Sequence, residues 1–117
     1  MNDKAIEQEI QDKGLTAPRI TPDDIAAAIK SEYFFRLGDA VATACPEGIW
    51  EEDEPALKLT TVCVIVMRNG FTVTGKSACA SPENFDAELG RKIARQNAVS
   101  EIWPLMGYEL RSKLAAQ

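Results

Sequence analysis

The sequence predicts an α+β domain organised around one antiparallel β-hairpin, and three observations carry that reading. Leu59 to Met67 is β-branched almost throughout, and Arg68-Asn69-Gly70 then leads into an alternating segment, Phe71 to Ser77. Two helix starts, Thr21-Pro22-Asp23-Asp24 and Ser81-Pro82-Glu83, each combine a capping hydroxyl, a proline with preset φ and carboxylates facing the positive end of the helix dipole. Between them, Cys45 to Pro55 is rich in turn formers and acids, as a solvated loop is.

The elements follow in chain order. Ile6 and Ile10 lie four apart, so a short amphipathic helix ending at Gly14 is expected. Two isoleucines bury little surface, and residues 1–20 are read as a mobile N-terminal arm ahead of a single α+β domain, residues 21–117. The helix near 22–35 runs through Ile25, Ala28 and Ile29 toward Tyr33-Phe34-Phe35; that triplet leaves the isoleucine stripe, so part of it is open to extended chain. Asp39 to Ala44 reads equally as helix or strand. Trp50 lies beside the acidic run Glu51 to Glu54 and is expected to plug the core from the loop.

The hairpin is placed at about 58–67 and 71–79. With Asn69-Gly70 as a two-residue type I′ loop, Val66 pairs with Val73 and Val64 with Gly75. Val62, Val64, Val66, Phe71 and Val73 then face the core, and Cys63, Ile65 and Met67 face away. The first strand is apolar on both sides, so its second face needs a cover, a helix or a second subunit. A long helix at about 82–103 is expected to pack the hairpin through Phe85, Leu89, Ile93, Val99 and Trp103, with Ala87, Ala94 and Ala98 on the other side. Pro104 ends or kinks it, and Met106 to Leu114 forms a short C-terminal helix.

Chemistry is sparse. The chain has no histidine, which removes Ser-His and Cys-His pairs and makes a zinc site unexpected. No GxxxxGKS or GxGxxG loop occurs, and no cofactor or metal is expected. Cys45, Cys63 and Cys79 form no CxxC pair and read as reduced, mostly buried thiols. The acids at Glu51 to Glu54 lack the fixed geometry of a carboxylate pair, although an enzyme with an unrecognised carboxylate site stays an alternative.

Charge divides unevenly along the chain. Residues 1–54 hold thirteen acids and five bases, and residues 55–117 hold five and eight, so −8 and +3 sum to the overall −5. An acidic protein of this kind is a poor nonspecific ligand for the phosphate backbone, which keeps nucleic-acid binding through the basic second half a secondary reading. Arg91 and Arg95 stand one turn apart and can bridge a phosphate or carboxylate. Together with Tyr108 and Arg111 they form the candidate ligand-binding set. No run suits a membrane span, and the polar start MNDKAIEQEIQDKG lacks the pattern of a leader, so a cytoplasmic location and no membrane partner are expected.

The run CVIVMRNGFTVTGKSACASPENFDAELGRKIARQNAVSEIWPLMGYELR and the earlier ITPDDIAAAIKSEYFF carry a resemblance. They resemble a family of small proteins from tailed phages and prophages, named for gene product forty-nine of coliphage N-four and gene product sixty-six of a Shigella phage. The resemblance implies origin and transfers no catalytic residue. Phage origin favours a non-catalytic, homo-oligomeric binding module acting in the host cytoplasm. Its expected partner is a host protein or a small anionic, nucleotide-like ligand, in the service of countering host defence.

Overall fold

A computed structural model describes residues 2–117. Its centre is a three-stranded antiparallel sheet in the order β1-β2-β3, where β1 is Ile29–Arg36, β2 Thr60–Met67 and β3 Thr72–Ala78. Helix α1 spans Asp3–Asp12 and α2 spans Pro22–Ala28, ahead of β1. Between β1 and β2 lie α3, Leu37–Ala44, and α4, Glu54–Lys58; α5, Ala87–Ala115, follows the hairpin.

The Thr21 start forms as the sequence predicts. Thr21 Oγ1 accepts from the Asp24 N–H at 3.1 Å, and Asp24 Oδ2 accepts from the Thr21 N–H at 2.9 Å, a complete capping box. The helix stops at Ala28, well short of residue 35, because Ser31 to Arg36 pair in unbroken register with Val66 to Thr61. An aromatic run beside a β-branched strand gains more from cross-strand packing than from one further helical turn. The ambiguous Asp39 segment is helical, within α3.

The hairpin forms with a different turn from the one expected, and this reverses its faces. Asn69 does not have the positive φ that a type I′ loop requires; in the hairpin only Gly70 does, at +90°. The Gly70 N–H donates to the Met67 carbonyl at 2.9 Å and the Met67 N–H to the Phe71 carbonyl at 2.8 Å, giving a three-residue loop. Val66 therefore pairs with Thr72, Ile65 with Val73 and Cys63 with Gly75. A slip of one residue turns every side chain over. The core holds Cys63, Ile65, Met67 and Val73, whereas Val62, Val64 and Val66 look outward and Phe71 is 56% exposed.

Helix α5 is reversed in the same sense. Gly90, Ala94, Ala98 and Ile102 are buried against the sheet, while Leu89 and Ile93 of the expected stripe are exposed. Small residues win because the helix lies almost on the strand. A Cβ on Gly75 would stand 2.1 Å from the Ala98 nitrogen and 2.4 Å from the Ala94 carbonyl oxygen. The closer approach gains dispersion contacts along both backbones that a leucine-lined interface holds apart.

Helix α5 begins at Asp86, whose Oδ1 accepts from the Leu89 N–H at 3.0 Å; Pro82–Asn84 form a separate 3₁₀ turn. It also runs through Pro104, so the two helices expected in this region are one of 29 residues. Proline withdraws the single N–H that would reach the Ser100 carbonyl. Trp103 and Met106, on either side, pack against the core and hold the helix in line. At ~1.5 Å per residue α5 is ~44 Å long, against ~27 Å for an eight-residue strand. This explains extents of 56 × 29 × 19 Å and a radius of gyration of 18.1 Å, where a rounder chain of this length has ~13 Å.

Helix α1 is capped by Asn2, whose side chain accepts from the Ala5 N–H at 2.8 Å. It is tied to the body at two points. Arg19 Nη2 donates to Glu7 Oε2 at 2.7 Å, and Trp103 Nε1 donates to Asp3 Oδ2 at 3.2 Å. No helix among the described residues is long and apolar enough to cross a membrane.

Candidate functional site

The register leaves one face of the sheet without an overlying helix. Tyr33 stands beside Val64 and Phe35 beside Val62, with Val66 next to Ser31; Thr72, Thr74 and Lys76 continue the face on β3. Tyr33 is 60% exposed and Phe35 37% exposed, and the three valines are only half-buried. An antiparallel sheet with one wet face normally turns polar residues to water there. Here the centre of that face is two aromatics and three valines.

A second feature lies at the end of β1, on the α5 side. Phe34, Phe35, Arg36, Asp39, Thr61, Ala87 and Arg91 line an open pocket of about 220 Å³. Arg36 Nε donates to the Lys58 carbonyl at 3.1 Å, and the guanidinium lies 4.3 Å from the centre of the Phe85 ring, so this arginine is held in place. Thr61 is 2% exposed, and its Oγ1 is the one buried side-chain oxygen or nitrogen among the described residues that lacks a hydrogen-bond partner.

The candidate set from the sequence does not converge. Arg91 lines the pocket and makes no ion pair among the described residues, whereas Arg95 donates to Glu32 at 2.6 Å. Lys92 pairs with Glu88. Tyr108, 78% exposed, and Arg111 lie toward the far end of α5, with Arg111 ~30 Å along the axis from Arg91. Arg91 and Arg95 thus share one neighbourhood, and Tyr108 and Arg111 another.

Trp50 does not plug the core; it is 77% exposed, because the connection through the Glu51–Asp53 turn keeps it at the surface. Glu51 to Glu54 are all exposed, and no cluster of three metal-ligating side chains exists among the described residues. Cys63 is buried and free, and burial, with the nearby Glu32 charge, pushes its thiol pKa up, away from a reactive thiolate. Cys45 and Cys79 are half-buried and also free.

Reading by sequence missed Tyr33, Phe34 and Phe35 as surface residues, and with them Arg36 and Thr61. A signal was present: β2 is apolar on both faces, so a sheet with one covering helix had to leave valines uncovered.

These observations define a small helix-on-sheet module that offers an uncovered apolar face and a neighbouring basic pocket. The chain belongs to the phage protein (N4 Gp49/phage Sf6 gene 66) family, whose family model matches residues 20–114. That description states an origin and no activity. Compared with the curated proteins and with the solved structures, the chain has no match.

Proposed function

We propose that the chain is a non-catalytic binding module that captures a host protein on the open sheet face. The observation that carries this reading is the exposure of Tyr33 and Phe35 over half-buried Val62, Val64 and Val66. A contiguous apolar patch on a small protein favours a protein partner, and tyrosine at its centre is a residue type enriched where binding energy concentrates. The test is affinity capture from bacterial host lysate by the full chain, in parallel with Tyr33→Lys/Phe35→Lys. A protein retained by the parent and lost from the folded variant is expected. Identical retained sets would remove the reading.

A second reading, a small anionic ligand, is favoured by one observation: Arg91 carries no ion pair and shares its pocket with the fixed Arg36, aromatic rings and the partnerless hydroxyl of Thr61. Two guanidiniums beside aromatic rings suit a phosphate attached to a planar group. Thermal-shift titration with phosphate, nucleotides and cyclic nucleotides should raise the parent's Tm and not that of Arg91→Ala. Nucleic-acid binding draws less support, because Lys92, Arg95 and Lys113 are each neutralised by a glutamate. An enzymatic reading has only the exposed Glu51 to Glu54 acids behind it.

A further inference from the structure

The two edges of the sheet are managed differently. At the β3 edge, α5 lies against Gly75, and Asn97 Nδ2 donates to the Lys76 carbonyl at 2.8 Å. The β1 edge has β2 as its one strand neighbour, and among the described residues no backbone group from Ser31 to Phe35 bonds to any other element. It is regular from Ser31 to Arg36, since the register irregularity falls between Ile29 and Ser31. Tyr33, Phe34 and Phe35 along it are all exposed. A long, regular edge with exposed aromatics invites another strand.

The sequence of β1 shows which strand fits. Two copies pairing antiparallel about a two-fold axis must place one residue opposite its own counterpart, and every other pair then follows. Centring on Ser31 opposes Glu32 and Lys30 but carries the pairing across the irregularity between Ile29 and Ser31. Centring on Glu32 sets two like carboxylates face to face, and centring on Tyr33 sets Lys30 against Arg36. Centring on Phe35 leaves Glu32 opposite Gly38 and Arg36 opposite Phe34. Centring on Phe34 sets Glu32 opposite Arg36 and Tyr33 opposite Phe35, an opposite-charge pair and an aromatic pair on each side of the axis. Directly opposed like charges destabilise a ladder, and opposed unlike charges and aromatics stabilise it.

We propose that the protein forms a two-fold dimer by antiparallel pairing of β1 with β1 of a second copy, centred on Phe34. The axis stands perpendicular to the sheet, so both copies of α5 lie on one face and the open faces join into one. Four aromatic rings, Tyr33 and Phe35 from each copy, then occupy the middle of the joined face. A single open face is ~27 Å by ~14 Å, or roughly 400 Å²; doubling it gives about the ~800 Å² that one side of a standard protein interface covers. The dimer does not depend on capture of a host protein, and the two fail separately.

Sedimentation equilibrium of the full chain tests the dimer, with a species of twice 12.8 kDa expected. Glu32→Arg sets arginine against the partner's Arg36 and should weaken the dimer by roughly tenfold or more; adding Arg36→Glu to the same chain restores the opposite charges and should recover it. Arg95→Ala, which removes only the Glu32–Arg95 pair within one copy, should leave the dimer in place. In a Cys45→Ser/Cys79→Ser background, Phe34→Cys should cross-link under mild oxidation, because directly opposed Cα atoms ~4.5–5.5 Å apart lie within disulfide range. Tyr33→Cys, displaced from its own copy, should not. A monomer throughout the concentration range overturns the proposal. So does a dimer that ignores the charge swap, or one that cross-links as readily through Thr74→Cys on β3 as through Phe34→Cys.

Discussion

The two faces of β2 are built by alternate residues of one strand, yet they obey different rules. Thr61, Cys63, Ile65 and Met67 are buried beneath a helix that meets the sheet through glycine and alanine. Val62, Val64 and Val66, no less apolar apart from their size, have threonines and two aromatics for neighbours and remain half-open. The covered face is specified by closeness of backbone, and the open face by an apolar surface kept against the usual tendency. Hydrophobicity alone therefore does not decide which face becomes the core; the side able to admit a helix backbone does.

The largest effect expected from that contrast is at Gly75. Its missing Cβ is the space into which the backbone of α5 fits, and the atoms in the way belong to main chain that cannot rotate aside. Gly75→Val should destabilise the fold by about 3 kcal/mol or more, read as a Tm lowered by roughly 10 °C or as failure to fold. A Tm within a few degrees of the parent would mean that α5 does not lie on β3 as described.

Neighbouring positions on β2 sharpen the comparison. Ile65 has no exposed surface, and Ile65→Ala leaves a cavity between sheet and helix, with an expected loss of about 2–5 kcal/mol in chemical denaturation. Val64→Ala removes half-buried methyls from the open face and should change stability by about 1 kcal/mol or less. Equal losses would show that something covers both faces in solution. The reverse order would restore the two-residue turn and its register.

How much of this was legible follows from the same positions. The hairpin and the Thr21 cap were readable because each rests on local signals, β-branched runs and a capping hydroxyl followed by proline. The long helix was readable as a helix, but the Ser81-Pro82 signal expected to open it forms a separate turn and Asp86 caps it instead. The facing of the hairpin was not readable, since Asn69-Gly70 serves a two- or a three-residue loop and the choice reverses every side chain. The helix face was missed for a related reason. Periodicity marks Leu89 and Ile93 as apolar, but only the partner strand, through Gly75, selects the alanine side. Pro104 ends a helix by local rule, and here packing of Trp103 and Met106 overrules it. Of the candidate site, the arginines of α5 were visible as a cluster in sequence, whereas their partition by Glu32 and the approach of Phe34 and Arg36 depend on β1 being a strand.

The smallest expected effect concerns α1, which is held to the body by side chains at its margin. Hydrogen bonds from Arg19, then from Gln11, lower the Glu7 pKa from its usual value near 4.5 to about 2. A carboxylate with a lowered pKa in the folded state contributes stability above its unfolded value; that contribution fades as pH falls from about 4.5 through about 2. The attachment of α1 should therefore loosen in that window and stay constant above it. Trp103 reports on it, because its indole N–H donates to Asp3 at the start of α1, and Trp50→Phe leaves Trp103 as the sole indole. In that background, Arg19→Met should show at neutral pH the Trp103 emission that the parent reaches only in acid, with the far-ultraviolet signal of the sheet retained. Unchanged Trp103 emission in Arg19→Met at pH 7 would show that the Glu7–Arg19 pair does not hold α1 in place, and that the contact of Trp103 with Asp3 stands without it.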